Sequence, residues 1–337
     1  MEPIIFYYFD ELTDTSVFRE VLERRFRETG HERRIEFRSW HCYSGLPEDK
    51  GDLYAYDGIV MAALAEKGLI RKLPEIIDLK NIFPWILETG RYRKGMYGVP
   101  FMTCTNVIIS RKEDGPPPSN ILDIHDAVSS PLMSMIVFYE MAAFCGIQDR
   151  EGRTIDVLRH ILSLMGGAGS YEKYDYDGSR RIKEFDIGEC KYLLGITEDY
   201  RILSPGDYCV TAANFSDSLI NELPVFMTDF VSMSPDTQGE KLLDCLDIME
   251  IITDSSFAYE LCTAGGRLQY MLPADMTVYS MLAELDPVYN KFYEIASNPY
   301  NCTLRYSSRY YEEYPERKAE LSKMLTEDSS FRGTYGS

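Results

Sequence analysis

At 337 residues the chain exceeds the roughly 250 to 300 at which a single hydrophobic core stops growing, so its size predicts two lobes. Apolar residues at 45% and charged residues at 26% match soluble globular averages, which excludes a disordered or fibrous chain. With 35 Lys and Arg against 54 Asp and Glu, the formal net charge is -19, a surface that repels phosphate backbones and anionic lipid and predicts neither a nucleic-acid nor a membrane partner.

The chain opens on an apolar run, Ile4 to Phe9, that reads as a buried strand. It lacks the basic segment of an export signal, and this predicts an intracellular protein unless a leader has been removed. Apolar and small positions spaced at three and four from Val17 to Thr29 predict a helix, and Ile35 to Trp40 alternates as a second strand. Strand, helix, strand in this order implies a right-handed parallel unit and an α/β fold.

Tyr56 to Met61 reads as a strand that hands over to a helix at Ala62 to Lys67, closed by Gly68. Gly95 to Pro100 begins a turn and a strand that continues through Cys104 to Ser110, and the prolines after Gly115 mark the break that follows. Helical patterns around 131–145 and 155–165, a tyrosine-rich loop at 171–176 and a short strand at Tyr192 to Ile196 come next. A second apolar crossing at Pro224 to Met233 precedes a helix at Gly239 to Ile252. A third, Leu268 to Pro273, leads into tyrosine-bearing helices. These crossings predict a discontinuous first lobe of 1–109 plus 228–273 and a second of 110–227 plus 274–337.

The eight cysteines show no C-x-x-C pair, and none of the four histidines stands at i, i+4 to another, so neither a disulfide framework, a metal centre nor a cofactor is expected. Spacing leaves two readings of Cys104 open: a small hydrophobe in a buried strand, or a nucleophile. Asp57 and Asp229 at strand ends read first as caps, or as ligands at the strand ends where open α/β sheets place their sites. Glu198, after a short strand, reads as a loop residue or a base. Cys190 and Cys209 read as packing residues.

Several motifs, in order, carry a resemblance. Tyr56-Asp57-Gly58-Ile59, Glu66-Lys67-Gly68, Leu73-Pro74 and Gly95 to Pro100 are similar to the first lobe of solute-binding proteins. Gly98-Val99-Pro100-Phe101-Met102-Thr103-Cys104-Thr105-Asn106 resembles the G-[IV]-P-x-x-x-C-[ST]-[ND] setting of the nucleophilic cysteine in the thiaminase I family. Gly195-Ile196-Thr197-Glu198-Asp199 resembles that family's G-Y-S-E-S segment, and Pro224 to Ser232 its P-L-F-Y-A-D-V-V-S crossing. Gln269-Tyr270-Met271-Leu272-Pro273-Ala274 is similar to its Q-Y-L-L-P-A. Ile196 and Met227 stand where two of the family's tyrosines would be.

The resemblance implies a two-lobed periplasmic-binding-protein-like fold of type II, with a ligand cleft between the lobes. It implies a monomeric transferase that moves the pyrimidinylmethyl group of thiamin or an analogue to a nucleophilic co-substrate. Cys104 takes the nucleophile's place and Glu198 the catalytic base's, with Asp217 as second choice for the base. Tyr7, Phe9, Asp57, Asp229 and Tyr270 take substrate-binding places. A solute-binding protein that captures thiamin, a pyrimidine or a similar ligand without reaction is the alternative.

Overall fold

The computed structural model of the chain describes residues 1–9, 15–42, 45–120, 123–125, 179–204, 206–214, 225–298 and 301–303. The expected helices around 131–145 and 155–165 and the loop at 171–176 lie outside them. In chain order the elements are β1 (Ile4–Phe9), α1 (Thr15–Glu28), β2 (Ile35–Trp40), β3 (Leu53–Asp57), α2 (Met61–Glu66), α3 (Pro84–Thr89), β4 (Arg91–Tyr92), β5 (Gly95–Met96) and β6 (Val99–Arg111). There follow α4 (Ser179–Asp186), β7 (Tyr192–Ile196), β8 (Tyr208–Ala212), β9 (Val225–Met233), α5 (Gly239–Thr253), α6 (Ser255–Cys262), β10 (Leu272–Pro273), α7 (Val278–Leu285), α8 (Val288–Ala296) and β11 (Cys302–Thr303).

The chain divides into two compact units: Met1–Cys104 with Phe226–Tyr311, and Thr105–Val225 with Glu312–Ser337. In the first, the sheet runs β10-β6-β9-β3-β1-β2, and β11 also pairs with β9. The predicted strand, helix, strand start is present as a parallel pair, with register from Ile4↔Ile35 to Phe9↔Trp40. The helix between them buries Phe18, Val21, Leu22 and Phe26, the apolar stripe set by 3.6-residue periodicity. Phe18 meets Phe6 edge-on at 6.1 Å and Phe257 of α6 at 5.9 Å, so this face of the sheet is closed by two helices.

On the other face Tyr54 and Tyr56 are fully buried, and Tyr56 lies near-parallel to Phe230 at 6.4 Å. Two motif glycines owe their identity to Phe230. A Cβ on Gly58 would stand 2.7 Å from its ring, and one on Gly98 would stand 2.9 Å from its Cβ and 3.1 Å from Ser232 Oγ. Gly98→Ala therefore overpacks a filled core and is expected to cost about 1 to 3 kcal/mol, read as a lower urea midpoint at unchanged slope.

In the second unit, the later residues of β6 form the middle of an antiparallel sheet. Asn106 to Ser110 pair with Ile196 to Tyr192, and Val107 to Arg111 pair with Ala212 to Tyr208. Val107, Ile108 and Ile109 are completely buried there, as a continuous apolar run flanked by two strands requires.

Two expectations differ from the structure. The strand that begins at Leu53 ends at Asp57 rather than Met61, because the Asp57 carboxylate accepts the Ile59 N–H at 3.1 Å and turns Gly58–Val60 into a 3-10 helix. Residues 274–296, expected in the second lobe, belong to the first unit. Leu272 and Pro273 pair antiparallel with Thr103 and Met102, so this run stays in the same sheet instead of leaving it. The helices after it are held by burial of Val278, Tyr279, Leu282, Tyr289 and Phe292 and by the Trp85 Nε1 donation to Ala296 O at 2.8 Å.

Candidate active site

Cys104 is the last residue of the first unit's opening segment and a half-buried thiol on β6. Its neighbour Thr103 is buried and donates from Oγ1 to the Met227 carbonyl at 2.7 Å, anchoring this stretch of β6 on β9. Cys190 is buried, and burial pushes its thiol up to about 12, so it packs rather than reacts. Cys209 is half-buried, which the packing role expected for it does not require.

Glu198 belongs to the second unit. β7 ends at Ile196 and the chain tightens into a 3-10 helix, Thr197–Arg201, because the buried Asp199 carboxylate turns back to accept the Ile196 N–H at 2.9 Å. The Glu198 side chain is only 9% exposed. Burial lifts its carboxyl from the ordinary 4.5 to about 7, with the Asp199 charge adding to the rise. Its own backbone N–H and the Thr197 hydroxyl, which donates to Oε2 at 3.1 Å, work in the other direction. A carboxyl held near neutrality takes or gives a proton with little driving force either way, which suits a general base.

Asp57 and Asp229 are brought together by register. Antiparallel pairing of β3 with β9 sets them directly opposite one another, on one face of the sheet. Opposed residues in such a pair have Cβ atoms about 4.5 to 5.5 Å apart, and like charges so placed repel. Asp57 is 2% exposed and Asp229 half-buried. Two carboxylates at that spacing favour a ligand that carries positive charge or several N–H donors.

Tyr7 and Phe9 stand elsewhere. Tyr7 is in register with Tyr54, so side-chain alternation puts both it and Phe9 on the sheet face opposite Asp57. Tyr7 is buried and stacked on Tyr54 at 5.8 Å. The β1 aromatics on the Asp57 face are Phe6, against Phe18 of α1, and Tyr8, under the Arg19 guanidinium. Tyr270 holds a left-handed backbone, φ +57, a conformation that costs a bulky residue about 1 to 3 kcal/mol. Gln269 braces it, donating from its backbone to Cys262 O at 2.8 Å and from Nε2 to Ala264 O at 2.7 Å. The Tyr270 hydroxyl donates to Asp286 Oδ2 at 3.0 Å, and burial together with that carboxylate pushes the phenol up to about 12. Asp217 lies outside the described residues.

One residue of the cysteine motif was given no role by sequence. Asn106, two positions beyond Cys104 and in register with Ile196, is 2% exposed, and its Nδ2 meets no acceptor among the described residues. A polar residue inside an apolar strand was the signal.

No protein-family model matches the chain. Thiaminase-1 of Paenibacillus thiaminolyticus is 25% identical over 313 residues, spanning 81% of this chain and 76% of that protein. Among solved structures, thiaminase I of Clostridium botulinum in complex with thiamin superposes with a TM-score of 0.84 at 21% identity, covering 96% of this chain and all of that one. Thiaminase I of Bacillus thiaminolyticus follows at 0.78 and 20%, covering 96% and 99%. The ABC substrate-binding protein Lmo0181 of Listeria monocytogenes, in complex with cycloalternan, matches at 0.70 and 14%, covering 97% and 94%. By sequence and fold together, the chain is a thiaminase I homologue on the α/β, periplasmic-binding-protein-like fold of type II.

Proposed function

We propose that the chain is a thiaminase I-type transferase that cleaves thiamin or a close analogue. Cys104, as thiolate, adds to the pyrimidine ring. The bond from the methylene carbon to the thiazolium nitrogen then breaks and the thiazole leaves with the bonding electrons. An incoming amine or thiol bonds to the methylene carbon, and the Cys104 thiolate is expelled. Glu198 takes the proton of the Cys104 thiol and passes it to a pyrimidine ring nitrogen as the thiolate adds; it then takes the proton of the incoming nucleophile and releases it to solvent, while the ring proton returns to the expelled thiolate. The observation that carries this reading is Glu198: a carboxyl lifted to about 7 by burial, at the base position of a chain whose homology to thiaminase-1 spans most of its length.

Asp57 and Asp229 hold the pyrimidine through its exocyclic amine and ring nitrogen, where a carboxylate accepts more strongly than a neutral side chain. Tyr270 remains a proposed contributor to the aromatic surroundings of the ligand, whereas Tyr7 and Phe9, across the sheet from Asp57, do not share its face. Asp229→Asn is expected to raise KM for thiamin about 10- to 100-fold, the worth of one charged hydrogen bond, with a smaller fall in kcat. Steady-state kinetics at pH 8 reads the split.

Incubation with thiamin and an aromatic amine, followed by chromatography, tests the function. Free thiazole and a pyrimidinylmethyl-amine are expected in equal amounts. Thiamin recovered intact from saturating incubation would instead identify a solute-binding protein.

A further inference from the structure

Asn106 carries a buried side-chain nitrogen that meets no acceptor among the described residues. Its amide sits on a strand whose neighbours on that side are apolar: Ile196 directly across β7, Ala213 across the other edge, and Ile108 two residues on. Ala213 donates its backbone N–H to the Asn106 carbonyl at 2.9 Å, while Nδ2 meets no acceptor among the described residues. A buried polar group left unmet costs about 1 to 3 kcal/mol, and a leucine of nearly the same shape would remove that cost. The side chain at the remaining adjacent position of its own strand is Cys104, half-buried.

We propose that Asn106 is a substrate-binding residue, whose side-chain N–H donates to a hydrogen-bond acceptor, a ring nitrogen or hydroxyl, on the heteroaromatic substrate of Cys104. This rests on the transferase reading above. The site therefore selects for substrates bearing an acceptor at that point and disfavours carbon isosteres lacking it, because such an analogue would leave the donor buried and unmet.

The test is Asn106→Leu, with Asn106→Ala as the smaller alternative should leucine fail to fold. Thermal unfolding without ligand, thiamin affinity by calorimetry, and kcat and KM are measured for each. Leucine is expected to raise or maintain Tm while weakening thiamin binding and raising KM at least tenfold, with kcat less affected. A stability gain coupled to an affinity loss is what a purely structural asparagine does not produce. Leucine or alanine variants with wild-type KM and affinity would overturn the proposal while leaving the transferase reading intact. A wild type that binds thiamin without turning it over overturns the reading, and the affinity ratio then decides for Asn106. A wild type that neither binds nor cleaves thiamin overturns both.

Discussion

Cys104→Ser is expected to reduce thiamin turnover by on the order of 10⁴-fold or more, the scale seen when a nucleophile is removed from an otherwise intact site. A serine hydroxyl keeps the shape but supplies almost no anion at neutral pH, whereas a thiol of ordinary pKa is already partly thiolate and is made more so by an adjacent base. Because the thiol is half-buried and Thr103, not Cys104, anchors this part of β6 on β9, stability should change by no more than about 1 kcal/mol. Intact-mass spectrometry gives the complementary result: a pyrimidinylmethyl adduct on the wild type during turnover, and none on the serine variant. A serine variant with roughly a tenth or more of wild-type activity would remove Cys104 from the chemistry.

Glu198→Gln is expected to lower kcat/KM by about 10²- to 10⁴-fold and to make the protein more stable. The carboxyl's folded-state pKa, about 7, stands above its unfolded value near 4.5, so the native state binds the proton more tightly. Below pH 4.5 both states are protonated and the group contributes nothing. From 4.5 to about 7 the unfolded chain ionises first and stability falls. Above 7 the full penalty, about 3 kcal/mol, is in place. Glutamine lacks the charge and keeps an oxygen to accept from the Thr197 hydroxyl. Its advantage over wild type should therefore grow from near zero at pH 4.5 to about 3 kcal/mol at pH 8.

The same group sets the pH profile. Wild-type kcat/KM should fall about tenfold for each pH unit below an inflection near 7, as the base is lost to protonation, and the inflection should be missing from the glutamine variant. Denaturation at several pH values and a pH–rate profile are independent measurements of one ionisation. A stability difference that stays flat between pH 5 and 8 would mean that Glu198 is ionised at little cost, and its assignment as the base would fail.

The opening strand, helix and strand were legible in the residues because their signals are local. Period-3.6 and continuous apolar patterns from Ile4 to Trp40 leave one arrangement that buries them. The two passages of the chain between units showed for a related reason, since apolar runs at Val99 to Arg111 and Val225 to Met233 can only be buried strands. Cys104 and Glu198 stood out through motif order rather than spacing.

Register and packing decided the rest. Alternation along a strand says that neighbouring side chains point apart, yet not which face either one takes. Tyr7 and Phe9 could be set beside Asp57 on paper, and only pairing of β1 with β3 puts them on the opposite face. The opposition of Asp57 and Asp229 likewise exists only in the β3–β9 ladder. The helices from Val278 to Ala296 carry amphipathic patterns that any apolar surface would satisfy, and contacts with Trp85 and the α6 helix assign them to the first unit. The basicity of Glu198 and the unmet amide of Asn106 are properties of an enclosure. Both are set by which atoms surround the group, and that depends on residues distant in the chain.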